Sequence, residues 1–221
     1  MAFTLTNTTD SGICIDQTKT ISHTHSGDLL VVSAGSWDNN STEVQSVTYN
    51  GVSLTKAVGN LQGGSSQFRS ASIWYLVNPS QGTNDLVLTM TSISTDFFAF
   101  RAYSFQGCLT TDALEATGST QGTGTTATIS INSAFENCLF VDAFATDWTS
   151  GIPISPARDN YYLNYNTGLR ETHATSYTTR IGTTGSQNYS YPTDGGSRTY
   201  VYVGATFNSL DTGGSFLYNL I

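Results

Sequence analysis

The stretch that most restricts what this chain can fold into is "SVTYNGVSLTK", residues 46 to 56. Asn50-Gly51 tolerates the two positive φ values of a type I′ turn, whose twist matches that of the strands it joins. A two-residue loop then fixes the register. Tyr49 lies opposite Val52 and Val47 opposite Leu54, so these four side chains share one face while Thr48, Ser53 and Thr55 share the other. A ribbon with one apolar and one hydroxylated face is not stable alone in water, so a second layer must cover it.

The rest of the chain repeats this pattern. "DLLVVSAGSW" (28 to 37) is a nearly continuous apolar run, as expected for a strand in the middle of a packed sheet. "SASIWYLVNPSQGTNDLVLTMTS" (70 to 92) reads as strand, turn and strand, with Leu86, Leu88 and Met90 inward. "FFAFRAYSFQGC" (97 to 108), "NCLFVDAFATDW" (137 to 148) and "RTYVYVGATF" (198 to 207) are further strong strands. Between them "TGSTQGTGTTATISIN" reads as a Gly/Thr-rich linker that ends in a strand with Ile129 and Ile131 inward. About ten strands and no amphipathic helix predict an all-β chain of two stacked antiparallel sheets. Composition agrees: only 11% of the 221 residues are charged, and Lys occurs only at 19 and 56. The length fits one sandwich domain over 1–209 followed by an apolar tail, 210–221.

"LVVSAGSWD" from Leu30 and "LFVDAFATD" from Leu139 share the pattern L-x-V-x-A-x-x-x-D. Two similar central strands in opposite halves would explain the echo without any function. Residues 149 to 197 differ from the rest in being loop-rich and tyrosine-rich, with short strands expected near Leu163 to Tyr165 and His173 to Thr178. A specific contact is first sought there.

Taken in order, "TISHTHSGDLLVVSAG", "SVTYNGVSLTK", "SIWYLVNPSQGTNDLVLTMT", "AYSFQGC", "CLFVDAFATD" and "YVYVGATFNS" resemble a β-sandwich module of phage virion proteins and large secreted bacterial proteins. The likeness runs from about Ile21 to Ser209. It implies a jelly-roll or concanavalin-like sandwich used for display or binding. It brings no catalytic residues, because the matching positions are turn and core residues.

The residues themselves offer little for chemistry. No G-x-S-x-G elbow is present, since Ser36 in "AGSWDN" lacks a glycine two residues to either side, and the three histidines, His23, His25 and His173, are expected as partly exposed strand residues. None of Glu43, Glu115, Glu136 or Glu171 has the E-x-D-x-x-E spacing of a concanavalin-like glycosidase. The chain is therefore not expected to be an enzyme. His23 and His25 share one side of a strand and have Asp28 nearby, a workable but incomplete ligand set. "WDNNSTE" offers Asp38, Asn39, Asn40 and Glu43 as calcium ligands, although such clusters are also ordinary turn chemistry. No cofactor is expected. Cys14, Cys108 and Cys138 have no metal-site spacing and read as buried thiols, with a Cys108 to Cys138 bridge left open.

Partners follow from charge and aromatics. A net charge of −8 repels phosphate backbones, which argues against nucleic acid, and no apolar run is long enough to span a bilayer. The first residues carry no basic and apolar export signal. Two roles remain. One is a structural virion protein, a head-decoration or tail-associated subunit made in the host cytoplasm. It would contact copies of itself and other virion or surface proteins, with Phe216, Leu217, Leu220 and Ile221 of the tail docking on a neighbour. The other is an extracellular carbohydrate-binding or adhesin module. There Trp37, Asp38, Asp147, Trp148, Tyr161, Tyr162 and Tyr165 would stack on sugar rings and fix their hydroxyls, the alternative for these aromatics being core-edge or interface packing.

Overall fold

The computed structural model describes residues 3–38, 41–63, 68–92, 97–135, 137–147, 159–165, 171–179, 184–192 and 196–210, with the strand alone for Asp38, 159–165 and Glu171. Sixteen strands and no helix are found among them. The first nine are β1 (Thr4–Asp10), β2 (Thr18–His25), β3 (Leu29–Asp38), β4 (Val44–Tyr49), β5 (Val52–Ser53), β6 (Thr55–Gly63), β7 (Phe68–Val77), β8 (Gly82–Met90) and β9 (Phe97–Gln106). The remaining seven are β10 (Leu114–Gly124), β11 (Thr126–Ser133), β12 (Leu139–Thr146), β13 (Asp159–Tyr165), β14 (Glu171–Thr179), β15 (Gly185–Pro192) and β16 (Arg198–Phe207). All pairings are antiparallel.

These strands build four sheets. Two are large and five-stranded, in the orders β1-β9-β3-β7-β6 and β10-β16-β12-β14-β13; two are small, β2-β8-β4-β5 and β11-β15. The two halves of the chain are wired alike. Matching β1, β3, β6, β7 and β9 to β10, β12, β13, β14 and β16 reproduces the large sheet, and matching β2 and β8 to β11 and β15 reproduces the small one. The hairpin β4-β5 lies between β3 and β6, and the corresponding segment of the second half, 148–158, is outside the described residues.

Period-2 alternation explains how one strand serves two cores. In β3, Leu30, Val32 and Ala34 face the first small sheet, where they meet Val47, Tyr49, Leu86, Leu88 and Met90. Leu29 and Val31 of the same strand face the other way, against Leu139, Val141, Val203 and Phe207 of the second large sheet. Phe140 and Phe144 of β12 fill a third core with Ile129, Ile131, Tyr189, Tyr191 and Tyr202. The layers are thus small, large, large, small, and the middle core is a seam shared by both halves. Such a strand is buried on both faces, which is why its sequence reads as a continuous apolar run.

Polar bonds pin the seam as well. Ser33 Oγ donates to the Asp142 carbonyl at 2.9 Å, Thr175 Oγ1 to the same carbonyl at 2.7 Å, and Tyr103 OH to Thr175 Oγ1 at 3.0 Å. Separating the halves would expose the whole middle core and strand these groups in an apolar surface. Thermal unfolding is therefore expected as one calorimetric transition in which probes in both halves coincide. Two resolved transitions would mean that the seam stabilises little.

Several expectations hold and several are corrected. The chain is all-β, with antiparallel sheets packed face to face, but in four layers where the sequence suggested two. Asn50 and Gly51 have φ of 49° and 76°, Tyr49 pairs with Val52, and Leu54 N–H donates to the Val47 carbonyl at 2.9 Å. Val47, Tyr49 and Leu54 are buried as predicted, yet Val52 is 50% exposed: β5 is the two-residue outer edge of its sheet, beyond the layer it was expected to face.

The Gly/Thr-rich "linker" is largely the eleven-residue strand β10, paired along its length with β16. Its polarity suits an edge strand, and Gly118 lets it approach β11, since a Cβ there would sit 3.0 Å from Ile131 and 3.1 Å from the Ser130 carbonyl. The L-x-V-x-A echo joins two strands that are each third in a five-stranded sheet. Its register is one residue out of phase, however, because Leu30 faces a small-sheet core and Leu139 the seam.

Candidate functional site

Three polar groupings lie inside this framework, and they differ in whether anything from outside can reach them. The first joins β2 to β1 and β9. His23 and His25, two apart on β2, point the same way, as predicted, but they are 0% and 1% exposed, not partly exposed strand residues. Their shared side faces inward between sheets, where Ser104 Oγ lies 2.8 Å from both His23 Nε2 and His25 Nδ1. Thr9 Oγ1 lies 2.8 Å from His23 Nδ1, and Tyr49 packs edge-on against both rings while its hydroxyl donates to the Gly82 and His23 carbonyls.

A hydroxyl beside an imidazole is the geometry of an activated nucleophile. Here, though, Ser104 is fully buried and its hydroxyl is shared between two rings, so no substrate atom has access. Burial, helped by the neighbouring His25, pushes His23 down to about 4; burial also lowers His25, against the pull of the Gly27 backbone and of Asp28. Both are neutral struts at neutral pH. No group of three metal-ligating side chains converges among the described residues.

The second grouping is centred on Asp142 in β12, which is fully buried. Its Oδ1 accepts from Ser176 N–H at 2.6 Å, Ser176 Oγ at 2.8 Å and Tyr191 OH at 3.1 Å, and its Oδ2 from Tyr202 OH at 3.0 Å. Four donors from three strands satisfy one carboxylate. It ties the second small sheet to its large sheet and is closed to solvent.

The third grouping is open. At one end of the seam, where β3, β9, β12 and β14 meet, a small cleft of about 40 Å3 lies between the halves. The first half supplies Trp37, Phe97 and Phe98 with Ile13 at the mouth, and the second supplies Ala145, Thr172 and His173. Trp37 follows Leu29, Val31 and Ser33 in period 2 and so points to the seam side; His173 shares a face with Thr175 and Tyr177 of β14. Gly35 makes the junction close, because the His173 imidazole occupies the space a Cβ would need.

Trp37 is only 7% exposed and stacks on Phe97, with ring centroids 6.0 Å apart and planes 12° apart. Its Nε1–H is buried and has no partner, and neither ring nitrogen of His173 has one either. Burial pushes His173 down to about 4, so the ring is neutral, with one N–H to give and one lone pair to receive. Beside Trp37 in the sheet, Arg69 is 2% exposed and meets Asp147 across the seam at 3.9 Å. In that pair the two charges offset each other.

The sequence-predicted residues are only partly gathered here. Trp37 is a cleft wall and Asp147 an ion-pair partner next to it. Asp38 ends β3, and Tyr161, Tyr162 and Tyr165 belong to the edge strand β13, with side chains outside the described residues. Trp148, Asn39, Asn40 and the tail residues Phe216, Leu217, Leu220 and Ile221 also lie outside the described residues. Glu43 pairs with Lys56 at 3.5 Å. All three cysteines are free and buried, so Cys108 and Cys138 do not bridge. Gly35, Phe97 and His173 were missed as site residues: alternation could place Trp37 and Gly35 on one face, but nothing local joins β3 to β14.

Comparison with protein-family models, characterised proteins and solved structures found no match to this chain.

Proposed function

We propose that the chain is a non-enzymatic structural subunit, a head-decoration or tail-associated protein of a phage, working through contacts with copies of itself and with other virion proteins. The observation that supports this reading is the build of the molecule. Two similarly wired sandwiches joined through a third apolar core make a block four sheets thick, roughly 30 Å at ~10 Å per sheet spacing. In the first half, with β6 set aside as an added edge strand, the orders β1-β9-β3-β7 and β2-β8-β4-β5 can be read as those of an eight-stranded jelly roll, which supports the likeness to virion modules. Buried His23, Ser104 and Asp142 are spent on internal bonds. Among the described residues the exposed large apolar ones, Ile13, Ile15, Val52, Phe135 and Leu210, are few, so broad hydroxyl-rich surfaces and the apolar tail would supply the contacts.

The test is assembly. The full chain is expected to form a symmetric oligomer by light scattering and to appear on particles by electron microscopy, and truncation at Thr212 should weaken both. A monodisperse 23.7 kDa monomer at every concentration, absent from particles, would overturn the reading.

A further inference from the structure

We propose that β10 is a self-pairing edge: two copies of this chain join antiparallel along residues 116–124, so that the five-stranded sheets of their second halves run on as one sheet. The kind of partner, a second copy, rests on the subunit reading; the surface that receives it goes beyond that reading.

The first argument is an open ladder. β10 is eleven residues long, stands at the end of the order β10-β16-β12-β14-β13, and pairs with β16 along its length. Among the described residues neither a strand nor a loop backbone pairs with its outer side. An antiparallel strand turns half of its N–H and C=O groups away from its partner, so a row of donors and acceptors faces outward.

The second argument is that the edge is unguarded. Folded proteins blunt such edges with charge, bulges or shortness. β1 has a bulge between Leu5 and Asn7 and ends on Asp10, β2 carries Lys19, β6 carries Lys56 with a bulge before Val58, and β5 has two residues. In β10 the register shifts only before Ala116. From there to Gly124 the ladder with β16 is unbroken, and "ATGSTQGTG" holds no charged residue and no proline. In a chain of net charge −8, this is a line along which two copies can meet without opposing like charges.

The third argument is symmetry. A two-fold contact must be self-complementary, because residue i of one copy meets residue j of the other while j meets i. The run "TGSTQGT", residues 117 to 123, reads nearly the same in both directions about Thr120. Antiparallel pairing centred there sets Thr120 against its own counterpart, Ser119 against Gln121, Gly118 against Gly122 and Thr117 against Thr123. Thr117, Ser119, Gln121 and Thr123 are exposed and share one face, so hydroxyl and amide groups that both donate and accept meet across the junction. On the other face glycine meets glycine, which leaves room where β11 passes close to Gly118.

Sedimentation of the full chain over a concentration series, with cysteine cross-linking, provides the test. A reversible dimer is expected. Ser119→Lys with Gln121→Lys changes only exposed side chains and sets lysine opposite lysine twice, so the dimer should weaken about tenfold or more. Thr120→Cys should link two copies on mild oxidation, since the native cysteines are buried. Thr117→Cys alone should not, because its opposite residue is Thr123, but a mixture of Thr117→Cys and Thr123→Cys chains should. A monomer at every concentration, a dimer indifferent to the two lysines, or Thr117→Cys alone linking as readily as Thr120→Cys would overturn the proposal. A dimer with the expected cross-links in a chain absent from particles would remove the subunit reading and leave the edge standing. Particles built from chains that stay monomeric in solution and give no Thr120→Cys link would do the reverse.

Discussion

Replacing Asp142 with valine is expected to cost about 3–5 kcal/mol, enough to unfold a large share of the molecules if total stability lies in the usual range of ~5–15 kcal/mol. Valine fills the site with methyl groups but accepts nothing. The Ser176 N–H and the hydroxyls of Ser176, Tyr191 and Tyr202 would then be left facing an apolar residue in a dry core. Each unmatched buried donor costs roughly 1–3 kcal/mol, and the hydroxyls recover part of it by rotating. Tyr202→Phe removes a single donor and leaves the carboxylate three others, so about 1 kcal/mol is expected there. Urea denaturation of the two variants separates the cases. An Asp142→Val protein within 1 kcal/mol of wild type would show that the carboxylate is not the tie between its two sheets.

The second large effect is with pH. His23 and His173 are held neutral by burial, each at about 4 in the folded chain against 6.5 for an exposed histidine, and His25 is displaced in the same direction. Above pH 6.5 both folded and unfolded chains carry neutral rings and nothing is lost. Between pH 6.5 and about 4 the unfolded chain takes up protons that the folded chain refuses, so stability falls as pH falls; below about 4 this loss levels off. A displacement of this size corresponds to something on the order of 3 kcal/mol for each of His23 and His173. The urea midpoint is therefore expected to drop steeply between pH 6.5 and 4.5. His173→Phe should flatten part of that slope, because one proton-binding difference is gone. A midpoint that stays level across this window would mean that the rings are reached by water or protonate in place.

Much of the architecture is legible in the sequence, and the reason is local. The Asn50-Gly51 turn, the inward set Leu86, Leu88 and Met90, and the pair Ile129 and Ile131 depend only on turn chemistry and period 2, and all sit as expected. Strands without apolar alternation were harder. β1 and β10 are rich in Thr, Asn, Gly and Ser and are held by their neighbours' ladders, so no apolar alternation within them distinguishes strand from linker.

The histidines show the limit most clearly. Their spacing on β2 correctly predicts a shared side, but which side is inside depends on Ser104, far along the chain. The cleft depends on more still. Trp37 was visible as an aromatic at a strand end, and its role follows from His173 arriving across the seam onto Gly35.

By itself, then, the sequence determined that the chain folds as antiparallel sheets, where its tightest turn lies, and which side chains of each well-patterned strand share a face, because these follow from backbone sterics and a two-residue period. Only the tertiary structure decided that a strand such as β3 is buried on both faces, that two similarly wired halves share a third core, and that an unsatisfied indole and imidazole meet at its end. Those outcomes depend on which sheet packs against which, a matter of long-range burial that leaves no short-range mark in the chain.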